Sequence, residues 1–360
     1  MSWPATDGDV PTEWDYKFLK SIQLVAVTCG GNANIEDVLV VRDEYTWLRD
    51  QIESGYLAKT NAMVVTGQPG VGKTAFLLYL LLDRLEHRRP TAIQLSPNFF
   101  VIFNEHGVFV CDPKAFQLLD GYWALVDSND RIKVPCDTFV ESPGVRIIQT
   151  ASPSPERWKN WLKQKSGKVV VSDLPRPLEI GAILKELGIL DYDQAYHYIS
   201  KWGPCTRTIL GILREEAESR PCVEDDLTAE AQQAMKDIYT SPTILTHMNL
   251  PQSVHSIGST LLFISPHRPL HPNTSAVLSS SISVPHIPTP HLASIFNQYL
   301  LQLSNDKALA LFDVFSKNAF TKSPAGWMFE RQVHVALCCH SAPIKIFRRH
   351  GPSDTISPSQ

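Results

Sequence analysis

Gly67-Gln68-Pro69-Gly70-Val71-Gly72-Lys73-Thr74 sets three glycines, a lysine and a hydroxyl at the spacing GxxxxGK[ST]. The chemistry open to such a run is phosphate binding. Glycines let the backbone curl until its N–H groups converge on oxygen anions, and a helix beginning at the lysine adds the partial positive charge of its first turn. Lys73 would reach β- and γ-phosphates, and Thr74 would give its hydroxyl oxygen to magnesium. A chance match at average composition is roughly a one-in-a-hundred event for a chain of this length. The implied ligand is a nucleoside triphosphate, ATP or GTP, with Mg2+.

Three further positions can serve the same chemistry. Asp127 ends the apolar run Tyr122-Trp123-Ala124-Leu125-Val126. A carboxylate at the tip of a buried strand beside a phosphate loop can hold magnesium, although Asp127-Ser128-Asn129-Asp130 also reads as a turn. Many nucleotide hydrolases place a glutamate next. Here that position is Ser128, which leaves the general base unassigned, Asp130 being a weak candidate. VRIIQTASPS ends in Thr150 and Ser152. If that strand lies between the other two, a hydroxyl there can sense the γ-phosphate; Ser152 or Ser154 can equally cap the next helix. Arg207 follows the break Gly203-Pro204 and can approach the nucleotide from a helical lid to stabilise transferring charge, or form a surface ion pair.

The elements that must position these groups are legible as apolar runs. Met63–Thr66 reads as a strand and Ala75–Arg88 as a helix buried on more than one face, the pair that must flank the loop. TAIQLS, FFVIFN, GVFVCD, GYWALVD, VRIIQTA and KVVVSD read as further strands, the second and third as a hairpin inserted in the sheet's connections. Continuously apolar strands alternating with helices, including SPERWKNWLKQ and LEIGAILKELG, predict an α/β fold with a mostly parallel sheet. Residues 1–35 read as a weakly structured lead-in, 36–175 as the core, and 176–240 as a helical lid. The composition shifts to Ser, Pro, His and Thr near Thr240. Residues 241–350 then read as a smaller α+β region with strands STLLFIS and SISV and a helical stretch from Leu292 to His340, and 351–360 as a tail.

VVRDEY (Val40 to Tyr45), GQPGVGKT, the LVDSND strand end, TASPSPERWKNWLKQ and WGPCTRTIL, in this order, resemble the NTPase domain shared by Crinkler effectors and trypanosomal retrotransposon hot-spot proteins, with fungal members most similar. The resemblance spans most of Glu36 to Asp237. It implies an additional-strand P-loop NTPase related to the STAND and AAA+ types, with a sensor-like Thr150 or Ser152 and an arginine at Arg207. It also implies a nucleotide-controlled switch, acting on a protein partner or through self-association of this domain. Such domains are often joined to a restriction-endonuclease-like domain, and AGWMFERQVH (Ala325 to His334) is similar to its start. After Glu330 the sequence holds Asp354 as its single acid, so no D…ExK set exists and nuclease activity is not expected.

Composition narrows the reading. Hydrophobic residues are 43% and charged residues 19%, a globular balance, and the net charge of −4 gives nucleic acid no general electrostatic hold. The run Arg157, Lys159, Lys163, Lys165 and Lys168 reads as a solvated face. The seven cysteines form no CxxC pair and no zinc spacing, which fits a reducing compartment. The first residues, MSWPATDGDVPTEW, lack a basic, apolar leader, and Phe76–Leu82 is too short to span a bilayer. The expectation is an intracellular protein, cytoplasmic or nuclear, with no membrane partner. Trp158 and Trp161 read as core, the histidines from His247 to His291 are too irregular for a metal site, and Arg42 and Tyr45 read as a structural helix pair that could alternatively line a base pocket.

Overall fold

The computed structural model describes residues 14–114, 119–153, 155–240, 260–270, 277, 281–301, 344–346 and 354–356. Its centre is a seven-stranded sheet built from β3 (Ala62–Thr66), β4 (Thr91–Gln94), β5 (Phe100–Asn104), β6 (Gly107–Cys111), β7 (Trp123–Asp127), β8 (Arg146–Thr150) and β9 (Lys168–Val171), in the order β6-β5-β4-β7-β8-β3-β9. The pairs β4–β7, β7–β8, β8–β3 and β3–β9 are parallel. The hairpin β5–β6 is inserted in the connection from β4 to β7 and extends the sheet antiparallel at one edge.

Both faces of the parallel strands are covered, which is why they read as unbroken apolar runs. On one face α2 (Asp43–Glu53) and α3 (Lys73–Glu86) pack over Met63, Val65, Ile93, Leu125, Ile148 and Val170. On the other, α4 (Asp137–Glu141) and α5 (Lys159–Gln164) pack over Val64, Ala124, Val126 and Ile147. Trp158 and Trp161 are buried in this second layer, and the Trp161 indole N–H donates to Gln149 Oε1 at 2.9 Å. They are core, as their spacing suggests.

The part of the lead-in within the described residues, from Trp14 on, carries regular structure. β1 (Lys17–Leu19) pairs antiparallel with β2 (Leu39–Val41), and Ile22-Gln23-Leu24-Val25-Ala26-Val27-Thr28 forms α1 (Ile22–Thr28). Ile22, Ala26 and Cys29 recur at helical spacing and are buried in the layer that contains α3. That docking outweighs the modest helix propensity of a valine-rich run.

Beyond β9 come four helices, α6 (Pro177–Glu186), α7 (Tyr192–Trp202), α8 (Thr206–Arg214) and α9 (Arg220–Thr240), the segment expected to be a helical lid. The strands expected at STLLFIS and SISV are β10 (Phe263–His267) and β11 (Ile282–His286), an antiparallel pair, followed by α10 (Pro290–Leu301). Leu261, Leu262, Phe263, Ile264, Leu292 and Phe296 share one buried cluster with α6–α9. The compositional shift at Thr240 therefore does not divide the hydrophobic core. Ala325–His334 with Glu330, and the adjacent Cys338 and Cys339, lie outside the described residues.

A buried ion pair fastens α2, the glycine loop and α6. Arg42 donates to Glu179 Oε2 (3.2 Å), to the Val71 carbonyl (2.8 Å) and to the Asp173 carbonyl (3.1 Å). Glu179 also accepts the backbone N–H groups of Asp43 (3.0 Å) and Arg176 (2.9 Å). Removing one partner of such a pair leaves an uncompensated buried charge. Arg42→Met is expected to cost about 3–5 kcal/mol in urea unfolding, and Arg42→Met/Glu179→Met is expected to lose less than the single change. Equal stability of Arg42→Met and parent would contradict this.

Candidate functional site

The carboxyl ends of the parallel strands are where an open α/β sheet offers a ligand crevice. Register brings three polar groups there. Thr150 at the end of β8 is opposite Asp127 on β7 and Val65 on β3, and Thr66 closes β3 beside Val171. The β8 strand thus separates the loop-bearing strand from the Asp127 strand, the placement on which a sensing role for Thr150 depends.

Gly67–Gly72 leaves β3 and enters α3 at Lys73. Gly67, Gly70 and Gly72 all have positive φ, at 143°, 81° and 93°. At Gly70 the requirement is also steric. A Cβ there would come within 2.7 Å of Cys205 Sγ and 2.9 Å of Arg207 Cβ.

Every carbonyl of the loop has a donor. Lys73 Nζ donates to Gly67 O (3.0 Å) and Gln68 O (2.8 Å). The Cys205 thiol donates to Pro69 O (3.4 Å), and the Arg207 N–H to Gly70 O (3.4 Å). Arg42 takes Val71 O, as described above. The Tyr45 hydroxyl donates to Gly72 O at 2.9 Å, and so does the Phe76 N–H at 3.0 Å. Arg42 and Tyr45 therefore brace the loop from behind. The base-pocket alternative does not describe these contacts.

Asp127 is held by two hydroxyls. Thr74 Oγ1 donates to Oδ2 (3.0 Å) and Thr150 Oγ1 to Oδ1 (2.7 Å). Burial pushes the Asp127 carboxyl above its ordinary range, while the Thr150 and Thr74 hydroxyls and the Lys73 charge pull it back. Burial pushes Lys73 down to about 8, and the neighbouring Arg207 charge adds to the shift. Thr74 and Asp127 offer adjacent hard oxygen donors, a set that suits magnesium.

The remaining expectations fall as follows. Arg207 opens α8 with its side chain exposed, beside Gly70 and near enough to Lys73 to depress it. Ser128 Oγ donates to the Lys133 carbonyl at 3.1 Å. Asp130 is fully exposed and pairs with Arg157 at 3.0 Å. Ser152 is half-buried, and Ser154 lies outside the described residues. No group of three His, Cys, Asp or Glu with metal-binding proximity occurs among the described residues, the histidines included.

Sequence reasoning missed the contacts that come from far along the chain. Gln68 Oε1 accepts the Ile264 N–H at 3.2 Å in a buried setting. Glu44 Oε1 accepts from Arg268 at 2.6 Å and from the Asp173 N–H at 3.0 Å, and the Arg268 guanidinium stacks 3.7 Å from the Trp47 ring centroid. Thus β10 lies against the loop and α2.

No protein-family model matches the chain, and no curated protein matches it in sequence. Among solved structures, AMPPCP-bound DnaA from Aquifex aeolicus is similar at 14% identity, covering 57% of this chain and 74% of that one, with a TM-score of 0.32. A Walker-type ATPase of Pyrococcus abyssi is similar at 10% identity, covering 71% of this chain and 95% of that one, with a TM-score of 0.38. The fold is α/β, with the glycine loop at the carboxyl edge of a mostly parallel sheet. No described helix is long and apolar enough to cross a membrane.

Gly70→Ala tests the loop's packing against α8. Positive φ at a non-glycine residue costs on the order of 1–3 kcal/mol, and the new methyl group also meets Cys205 and Arg207. A loss of that order in urea unfolding is expected, with partial recovery in Gly70→Ala/Cys205→Ala. An unchanged unfolding midpoint for Gly70→Ala would mean the loop and α8 are not in this contact.

Proposed function

We propose that this chain binds a nucleoside triphosphate, ATP or GTP, with magnesium at Gly67–Thr74 and hydrolyses it, the bound state being read by the helical lid. The observation that carries the proposal is the convergence of Lys73, Thr74, Asp127 and Thr150 at one end of the sheet, with Arg207 on the opposing lid. The strand order suits the additional-strand group of P-loop NTPases, of STAND and AAA+ type. The motifs of the Crinkler and retrotransposon hot-spot proteins supply the switch reading. In that reading the partner is another protein, or a further copy of the domain.

The residues divide the work. Lys73 exchanges its carbonyl partners for phosphate oxygens, gaining charge-assisted hydrogen bonds. Thr74 and Asp127 hold magnesium, which when bound neutralises charge on the phosphate oxygens. Thr150 fixes the Asp127 carboxylate through Oδ1 and would respond to the terminal phosphate through that contact. Arg207 supplies positive charge from the lid where charge develops in transfer.

A second reading, nucleotide held with little turnover, is favoured by one observation. The residue after Asp127 is Ser128, which is committed to the Lys133 carbonyl, and Asp130 faces solvent beside Arg157. A water-activating carboxylate is thus missing from the segment where one is often found.

Asp127→Asn and Arg207→Ala separate the two readings. Asp127→Asn is expected to bind triphosphate with little of the parent's magnesium dependence. Arg207→Ala is expected to keep affinity within a few-fold while turnover falls about a hundredfold, since charge aimed at the transition state acts on rate more than on binding. Phosphate release is the readout. Parent protein that binds but shows no turnover establishes the second reading, and unchanged turnover in Arg207→Ala removes that residue from the site.

A further inference from the structure

The two edges of the central sheet are treated differently. On one, β10 and β11 lie against β9. On the other, β6 is the terminal strand, and Val108, Phe109 and Val110 are 59%, 45% and 69% exposed. An exposed edge strand is normally blunted by charge, proline or a bulge. Gly107-Val108-Phe109-Val110-Cys111 contains neither charge nor proline, and its pairing with β5 runs through five consecutive residues without a bulge.

We infer that β6 is a homodimerisation edge, which pairs antiparallel with β6 of a second copy about a two-fold axis at Phe109. The turn between β5 and β6 has two residues, Glu105 and His106, so the closing pair Asn104 and Gly107 is hydrogen-bonded. Bonded pairs alternate along an antiparallel ladder. Gly107, Phe109 and Cys111 therefore bond to β5, and Val108 and Val110 turn their N–H and C=O groups outward. A two-fold axis at Phe109 sets Val108 opposite the copy's Val110, and both outward residues find partners on both chains.

The side chains agree with that register. Val-Phe-Val is the same read in either direction, as a self-complementary edge requires. Phe109 is opposite its own copy, in the closely spaced non-bonded position where cross-strand aromatic contact is favourable. His106 and Asp112, the exposed residues flanking the strand, fall opposite each other twice, once at each end, with complementary character. Phe109 pairs with Ile102 and extends one buried face, while Val110 pairs with Val101 and extends the other. Pairing therefore continues both layers across the axis into one sheet of two copies.

The test is sedimentation velocity of the full chain over a concentration series. The parent is expected to show a concentration-dependent monomer–dimer equilibrium. Val110→Pro removes an outward N–H that no residue of its own sheet uses, and Val110→Lys places charge on the edge; both are expected to be monomeric, with Val110→Lys keeping the parent's unfolding midpoint. Phe109→Cys under mild oxidation is expected to give a dimer linked through residue 109 of both copies. A parent that stays monomeric throughout the series overturns the proposal, as does a dimer that persists in Val110→Lys. Larger assemblies that Phe109→Cys does not cross-link would mean that β6 meets a different segment, and this also overturns it.

Discussion

A phosphate loop can aim its N–H groups at an anion only if its carbonyl groups are satisfied elsewhere, since an unpaired buried carbonyl costs nearly as much as a lost hydrogen bond. In this chain the carbonyls of Gly67 through Gly72 each have a donor, and the donors come from three parts of the molecule. Lys73 closes the loop on itself. Arg42 and Tyr45 hold it from α2, and Cys205 and Arg207 hold it from α8. The shape of the loop is thus a shared property of the core and the lid.

That arrangement ties the shape of the loop to the position of α8. Gly70 has no side chain because α8 occupies the space, and the Gly70 carbonyl meets the first turn of α8. Gln68, in the middle of the loop, accepts from Ile264 on β10, while Arg268, just beyond that strand, reaches Glu44 on α2. A ligand that draws Lys73 away from Gly67 O and Gln68 O alters the carbonyls next to these contacts. The path from Lys73 to β10 is therefore short: Lys73, Gln68, Ile264.

How much of this was legible in the sequence follows from how local each feature is. The glycine loop, its flanking strand and helix, and the Asp127 strand end are contiguous patterns. Their placement is read from spacing and from the apolar runs that both-face burial requires. Thr150 was legible conditionally, since its role depends on the strand order, which spacing does not reveal. The long-range partners of Glu179, Glu44, Gln68 and Arg268 carried no signal. Each is a single polar residue whose partner is far away in sequence, as with Gln68 and Ile264, separated by 196 positions. The helix at Ile22–Thr28 was hidden for another reason: a short valine-rich run suits strand or helix, and packing in the α3 layer decides between them. The shared core across Thr240 was hidden by the shift in composition, because the packing that joins Ile238 to Leu261–Ile264 in one cluster leaves no mark on composition.

The central claim is that the Gly67–Thr74 loop takes a triphosphate through Lys73. Isothermal titration of the parent and of Lys73→Ala with ATP and with GTP, each with and without magnesium, addresses it directly. The account predicts one site per chain in the parent, tightened by magnesium, and a loss of about 1.5–3 kcal/mol in Lys73→Ala, the worth of hydrogen bonds to a charged group. Binding of equal strength in Lys73→Ala, or no binding of either nucleotide to the parent, would contradict it.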